Sequence, residues 1–236
     1  VADMVLNGGL LHLSTRAAST GGTGGQASGG MGLQTMDVNN GTFSKATGGL
    51  ADDLDGMVWY NGDLVVGLRG GGQGVSGVQV FDPAQNAFVD GGVLGGLPSE
   101  TIQALSRSTT SDVVYVGTAA GIGRWNGTLG GWETPINTIN GLQSNNVEDV
   151  HLWSDASGQH HLLVANSNGL AHWNESAQTV DQVWDTTSGL LENSAWSLAR
   201  NTTDGRVMVA HDGAGLGRPG ITTLALTSGV LAIDDT

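Results

Sequence analysis

Five copies of one unit, each roughly 45–50 residues long, run through this 236-residue chain. The clearest marker of each copy is a glycine, an apolar residue, two variable positions and a large apolar residue, usually followed by Asp or Asn. It reads Gly32-Leu33-Gln34-Thr35-Met36-Asp37, Gly77-Val78-Gln79-Val80-Phe81-Asp82 and Gly121-Ile122-Gly123-Arg124-Trp125-Asn126. It recurs as Gly169-Leu170-Ala171-His172-Trp173-Asn174 and, degenerately, as Gly220-Ile221-Thr222-Thr223-Leu224-Ala225. A unit this short cannot bury both of its faces alone, so it must pack against copies of itself. Radial packing of such units predicts an all-β fold, a β-propeller of five blades with four antiparallel strands each. The chain then forms a single domain over 1–236, with units near 1–48, 49–95, 96–140, 141–188 and 189–236.

Each unit opens on a strand A, for example Met57–Tyr60 or Val147–Leu152, and continues into a short apolar strand B such as Val113–Val116 or Leu162–Val164. Runs of β-branched residues bounded by Gly, Asn and Asp read as strands covered on both faces. Asn61-Gly62 and Asn7-Gly8-Gly9 lie between A and B, where a tight hairpin needs positive φ. Strand C carries the marker. Strand D has the faintest pattern, as an outermost strand facing water should.

A second element recurs between D and the next A: Gly49-Leu50, Gly96-Leu97-Pro98-Ser99, Gly141-Leu142-Gln143-Ser144 and Gly189-Leu190. With Ile102, Leu105, Tyr115-Val116-Gly117-Thr118, Gly121-Ile122 and Trp125, the third unit resembles the two-component-regulator propeller repeat. The fourth does so through Gly141-Leu142, Ser144-Asn145-Asn146-Val147, Gly169-Leu170 and Trp173. That resemblance implies a periplasmic or extracellular sensor-type propeller. The family usually builds seven blades, against the five visible units. Val1 falls at the start of a strand A and Thr236 near the end of a strand D, so the termini are not staggered into one blade. A closed five-bladed ring is the expectation, and a portion of a longer wheel the competing one. Because the chain begins without Met, a processed or excised product fits it.

Charge narrows the partners. Asp and Glu number 22 against eight Lys and Arg, and the net charge is −14. Such a field repels phosphate backbones, which argues against nucleic acid and anionic membranes. No stretch reaches the ~18 apolar residues of a membrane span, and no basic-then-apolar leader is visible. The absence of cysteine excludes disulfides and thiol chemistry. Sequons at Asn40, Asn126, Asn174 and Asn201 suit an extracellular, cell-surface or periplasmic location, though Asn and Thr are common enough here to produce several by chance.

Binding should concentrate on the long glycine-rich B–C loops, because loops on a rigid scaffold carry recognition and glycine lets a ligand approach the backbone. These are 19–30, Arg69–Gly74 and His211–Pro219, whose candidate ligand-binding residues are Arg69, Gln73, His211, Asp212 and Arg218. Units one, two and five would be neighbours in a closed ring, so their loops would form one crest. The glycine spacing fits neither a P-loop nor a dinucleotide fingerprint. Asp53, Glu100, Asn145 and Asn193 recur at equivalent D–A positions, and Asp52-Asp53-Leu54-Asp55-Gly56 is the densest acidic run. A Ca²⁺ site would draw on Asp53, Asp55 and Glu100, whereas the ordinary reading makes such residues turn-formers. The six histidines show no metal-ligand spacing, with His160 and His161 assigned to an A–B connection. Trp125 and Trp173 share one repeat position and should pack between blades.

The expected role is a non-catalytic exported scaffold that recognises a partner protein or a neutral saccharide on its long-loop face. A structural surface or assembly component competes with it. Catalysis has no motif behind it, and would require converging carboxylates with shifted pKa values at the channel mouth.

Overall fold

The computed structural model describes residues 3–15, 32–47, 54–69, 76–89, 96–108, 112–154, 158–213, 219–227 and 230–233. They form five four-stranded antiparallel sheets, each from contiguous sequence. Blade one contains β1 (Asp3–Asn7), β2 (Leu10–Ser14), β3 (Leu33–Asp37) and β4 (Phe43–Lys45). Blade two contains β5 (Leu54–Tyr60), β6 (Asp63–Arg69), β7 (Ser76–Asp82) and β8 (Ala87–Phe88). Blade three has β9 (Ile102–Arg107), β10 (Val113–Thr118), β11 (Gly121–Asn126) and β12 (Gly131–Trp132), and a 3₁₀ turn at Thr138–Asn140 follows it. Blade four has β13 (Val147–Ser154), β14 (His160–Asn166), β15 (Gly169–Asn174) and β16 (Thr179–Trp184). Blade five has β17 (Ala195–Arg200), β18 (Val207–His211), β19 (Gly220–Thr227) and β20 (Val230–Ile233). His160 and His161 thus begin a strand instead of joining two, because the apolar run after them extends the ladder back to Ser154.

The marker glycine has a backbone reason. Gly32, Gly77, Gly121 and Gly169 all hold positive φ, from 71° to 145°. A Cβ at Gly121 would lie 2.6 Å from the Ile136 carbonyl oxygen, and one at Gly169 would strike the Trp184 carbonyl. Only glycine accepts both the conformation and the approach. The degenerate fifth marker, Gly220, does not share that backbone. Asn61 (φ 52°) and Gly62 (φ 95°) form the expected two-residue hairpin turn.

The core consists of layers between blades rather than one central mass. One cross-strand pair in the middle of each blade faces the next blade: His12–Thr35, Val65–Val80, Tyr115–Arg124 and Leu163–His172 in blades one to four. It meets a pair on the neighbour's near face: Phe81–Phe88, Trp125–Trp132, Trp173–Val180 and Leu224–Ile233. In the first joint the His12 ring stands edge-on to Trp59 and Phe81, with centroids 5.4 and 6.0 Å away. Thr35 Oγ1 lies 3.0 Å from its Nδ1.

Among the described residues, blades one and five do not pack on each other as the internal neighbours do. Ile221 is 63% exposed, although its equivalents Val78, Ile122 and Leu170 are at most 1% exposed. On the opposing face of blade one, Met4 and Phe43 are each 61% exposed. The closed ring is therefore corrected to five blades whose two end faces are unmated among the described residues. The reason lies in connectivity: among the described residues each sheet is drawn from one contiguous stretch, so no described strand fastens the fifth blade to the first.

Candidate functional site

The first strand of every blade lines a central channel of about 560 Å³, bordered by Asp3–Val5, Asp55–Met57, Gln103–Ser106, Glu148–His151 and Trp196–Leu198. These inner strands are held together by side chains that reach the next blade's backbone. Asp3 Oδ2 accepts from the Met57 N–H at 2.7 Å, and Asp149 Oδ2 accepts from the Leu198 N–H at 2.7 Å. Ser106 Oγ accepts from the Leu152 N–H at 3.0 Å. Between blades two and three Arg107 Nη1 donates to the Trp59 carbonyl at 2.8 Å near one end of the inner strands, and at Gly56 the two backbones meet directly. A Cβ at Gly56 would sit 2.7 Å from the Leu105 nitrogen, so glycine is needed for the backbones to come this close.

Four inner strands share a β-bulge near their beginnings. Register slips between Leu54 and Met57, between Ile102 and Ala104, between Val147 and Asp149, and between Ala195 and Ser197. A bulge leaves one residue unpaired and redirects its side chain. In successive blades the extra residues are Asp55, Gln103, Glu148 and Trp196, all in the channel lining. Asp55 is buried, whereas Trp196 is half exposed with its Nε1 donating to Ser194 Oγ at 3.1 Å. Gln103 Nε2 donates to Asn146 Oδ1 at 2.8 Å, and Asn146 Nδ2 in turn donates to Glu148 Oε1. The quartet therefore combines two carboxylates, an amide and an indole. Repeat reading missed it because a bulge residue has no fixed chemistry; the detectable signal was one surplus residue in each inner strand.

Carboxylates do converge here, so catalysis needs a direct answer. Burial pushes the Asp149 carboxyl up to about 6, offset by hydrogen bonds to the charged form and reinforced by the charge of Asp3. Both Asp149 oxygens are nevertheless committed: Oδ1 to the Val150 N–H at 2.8 Å, and Oδ2 to Leu198 and the Ser197 hydroxyl at 3.1 Å. Asp3 holds the same repeat position and makes the same interblade bond. A group repeated in phase and bonded to backbone joins blades; a general acid needs a free face toward its substrate.

The channel end where the inner strands begin also carries the D–A and B–C connections. At blade five these are bonded to each other: Gly213 N–H donates to Glu192 Oε2 at 2.9 Å. The His211 Nδ1 lies 3.1 Å from the Ser194 carbonyl, and its Nε2 lies 2.9 Å from Thr222 Oγ1. Thr222 Oγ1 accepts the Leu191 N–H at 3.2 Å. Both ring nitrogens of this buried histidine thus tie the loop face together. Asp212 beside it is exposed, and Arg69 ends β6 opposite Ser76. Gln73, Arg218 and Asp53 lie outside the described residues, as does 19–30. Asp55 enters the channel instead of a D–A loop, and Glu100 is exposed. Asn145 and Asn193 each accept a backbone N–H at 2.8 Å, from Thr138 and Thr186, as turn-forming residues do. Among the described residues no three His, Asp or Glu groups cluster to hold a metal. No described helix is long and apolar enough to cross a membrane.

No family model matches the chain, and no curated protein matches its sequence. Its fold is found in solved structures. The extracellular domain of a hybrid two-component system from B. thetaiotaomicron superposes with a TM-score of 0.65 at 19% identity, covering 99% of this chain and 27% of that one. PorZ, a bacterial surface component of the type-IX secretion system of Porphyromonas gingivalis, gives 0.62 at 21% identity, over 87% of this chain and 30% of that one. A computationally designed protein gives 0.60 at 16% identity, over 98% and 59%. The chain thus shares the fold of extracellular two-component-sensor domains and spans about a quarter of their length.

Proposed function

We propose that the chain is an exported, non-catalytic binding scaffold whose channel receives a neutral saccharide. The carrying observation is the in-phase bulge quartet Asp55, Gln103, Glu148 and Trp196. Carboxylate and amide groups match sugar hydroxyls, while an exposed indole offers an apolar face to a sugar ring. The surface and extracellular character of the structural relatives supports an exported role. Calorimetry against a panel of neutral oligosaccharides should identify a binder. Trp196→Ala should weaken it by about tenfold or more while leaving the melting temperature unchanged, since the ring is half exposed. Absence of any binder across the panel, or an unaltered affinity in Trp196→Ala, would count against this reading.

The unmated end faces favour a second reading, an assembly component in which blade five of one copy covers blade one of the next. The faces are complementary by construction, because the same two kinds of face mate at all four internal joints. Such a head-to-tail contact is heterologous and builds rings or filaments. Sedimentation should then show concentration-dependent oligomers that Ile221→Lys abolishes. A monomer at all concentrations removes this reading.

A further inference from the structure

The joint between blades two and three differs from the other three internal joints. Its facing pair is Val65–Val80, where the other blades supply His12–Thr35, Tyr115–Arg124 and Leu163–His172. Two valines cannot reach the neighbouring blade as a tyrosine and an arginine do. A cleft of about 310 Å³ remains between the sheets. Val65, Val78 and Val80 form one wall, and Val114 and Val116 form the other. Trp125 and Trp132, edge-on to each other with centroids 5.5 Å apart, complete it. The contrast with the next joint is direct: Trp173 sits at the Trp125 position and is fully buried against Tyr115 and Arg124, whereas Trp125 is left half-buried.

Apart from the indole N–H groups of Trp125 and Trp132, the polar groups of the lining belong to Tyr60, Asn61 and Asp63, which form one lip. The Tyr60 hydroxyl is occupied by the Asp112 carboxylate and packs directly over Gly127, where a Cβ would strike it. Arg107 stacks 5.9 Å from the Tyr60 ring, but its Nη1 donates to the Trp59 carbonyl at 2.8 Å and its Nε to the Ser108 carbonyl at 3.2 Å. The Asp63 carboxylate has no hydrogen-bond or ion-pair partner among the described residues. The lip therefore presents one uncommitted anionic acceptor above an apolar, indole-lined slot.

We propose that this cleft is a ligand site, separate from the channel, for a two-ring aromatic amine. An apolar cavity of about 150 Å³ admits benzene, so one about twice that size suits a fused bicycle. The site falls at the small end of ligand pockets, about 300–1,000 Å³, and has their usual make-up of apolar walls with few polar groups. The ring enters between the valines and meets the two indoles. Its ammonium remains at the lip, where Asp63 accepts a charge-assisted hydrogen bond. The −14 net charge draws cations toward the surface and disfavours anionic analogues.

Calorimetric titration with tryptamine, indole and indole-3-acetate tests this, because the three share a ring and differ in charge. Tryptamine should bind about tenfold more tightly than indole, and indole-3-acetate most weakly. Asp63→Asn should erase the advantage of tryptamine over indole and leave indole unchanged. Val65→Tyr, which supplies the residue blade three uses at this position, should abolish binding of both. Persistent tryptamine binding in folded Val65→Tyr, or equal affinity for tryptamine and indole-3-acetate, overturns the proposal. Should Val65→Tyr not fold, an undiminished tryptamine preference in Asp63→Asn overturns it equally. A neutral saccharide held in the channel should not compete with tryptamine, so failure at one site leaves the other standing.

Discussion

Replacing Arg124 with Met should destabilise the protein by about 3–5 kcal/mol, the usual cost of stranding buried charges by removing their partner. The guanidinium lies between blades three and four, almost fully buried. Its Nη2 sits 2.8 Å from Glu133 Oε2 and 3.0 Å from Glu175 Oε1, and its Nη1 donates to Gln178 Oε1 at 2.6 Å. Met restores much of the volume but leaves two carboxylates facing each other across the joint. Urea unfolding should show the midpoint fall with little change in slope. Adding Glu133→Gln and Glu175→Gln to Arg124→Met should recover a large part of the loss, because replacing a whole buried ionic group is far cheaper than breaking it. A triple variant no more stable than the single one would mean that volume, not charge, sets the cost.

Trp173→Ala should cost a similar amount, about 3–5 kcal/mol, through the cavity left by a large buried aromatic. The ring is 1% exposed and packs among Tyr115, Ile122 and Leu162. Its Nε1 donates to Glu175 Oε2 at 3.0 Å, so the truncation also removes a partner from the carboxylate that holds Arg124. Because they share Glu175, the two substitutions should combine to less than the sum of their separate costs. Trp125→Ala, at the same repeat position, should cost clearly less, since that ring borders a cleft instead of filling a joint. Thermal denaturation of both variants side by side provides the comparison, and equal losses would contradict the packing difference.

These two tryptophans show how far repetition reaches. Their shared place in the marker correctly put both between blades. It could not say that Tyr115 and Arg124 would oppose one and Val65 and Val80 the other. The phase of a residue within its own unit is local information, whereas the volume opposite it belongs to a residue about fifty positions away. The turn at Asn61-Gly62 was legible for the contrary reason: positive φ at two successive residues is a demand that the dipeptide meets by itself.

The candidate site divides along the same line. Asn145 and Asn193 were read as turn-formers from residue type, and each does accept a nearby backbone N–H. His211 stood beside an exposed Asp212 in a long loop and read as available for a ligand. Its burial depends on Ser194 and Thr222, which the fold brings to both sides of the ring. The bulge quartet was hidden because Asp55, Gln103, Glu148 and Trp196 share no chemistry, only the condition of being surplus to the pairing of their strand.

Sequence alone determined the strand pattern, the five units and the glycines that each unit requires, because hydrophobic period and backbone conformation are properties of neighbouring residues. The unmated end faces, the channel quartet and the cleft between blades two and three were decided only in the tertiary structure. Each depends on which surfaces meet and how completely their side chains fill the gap, and packing at a joint is set by both blades together.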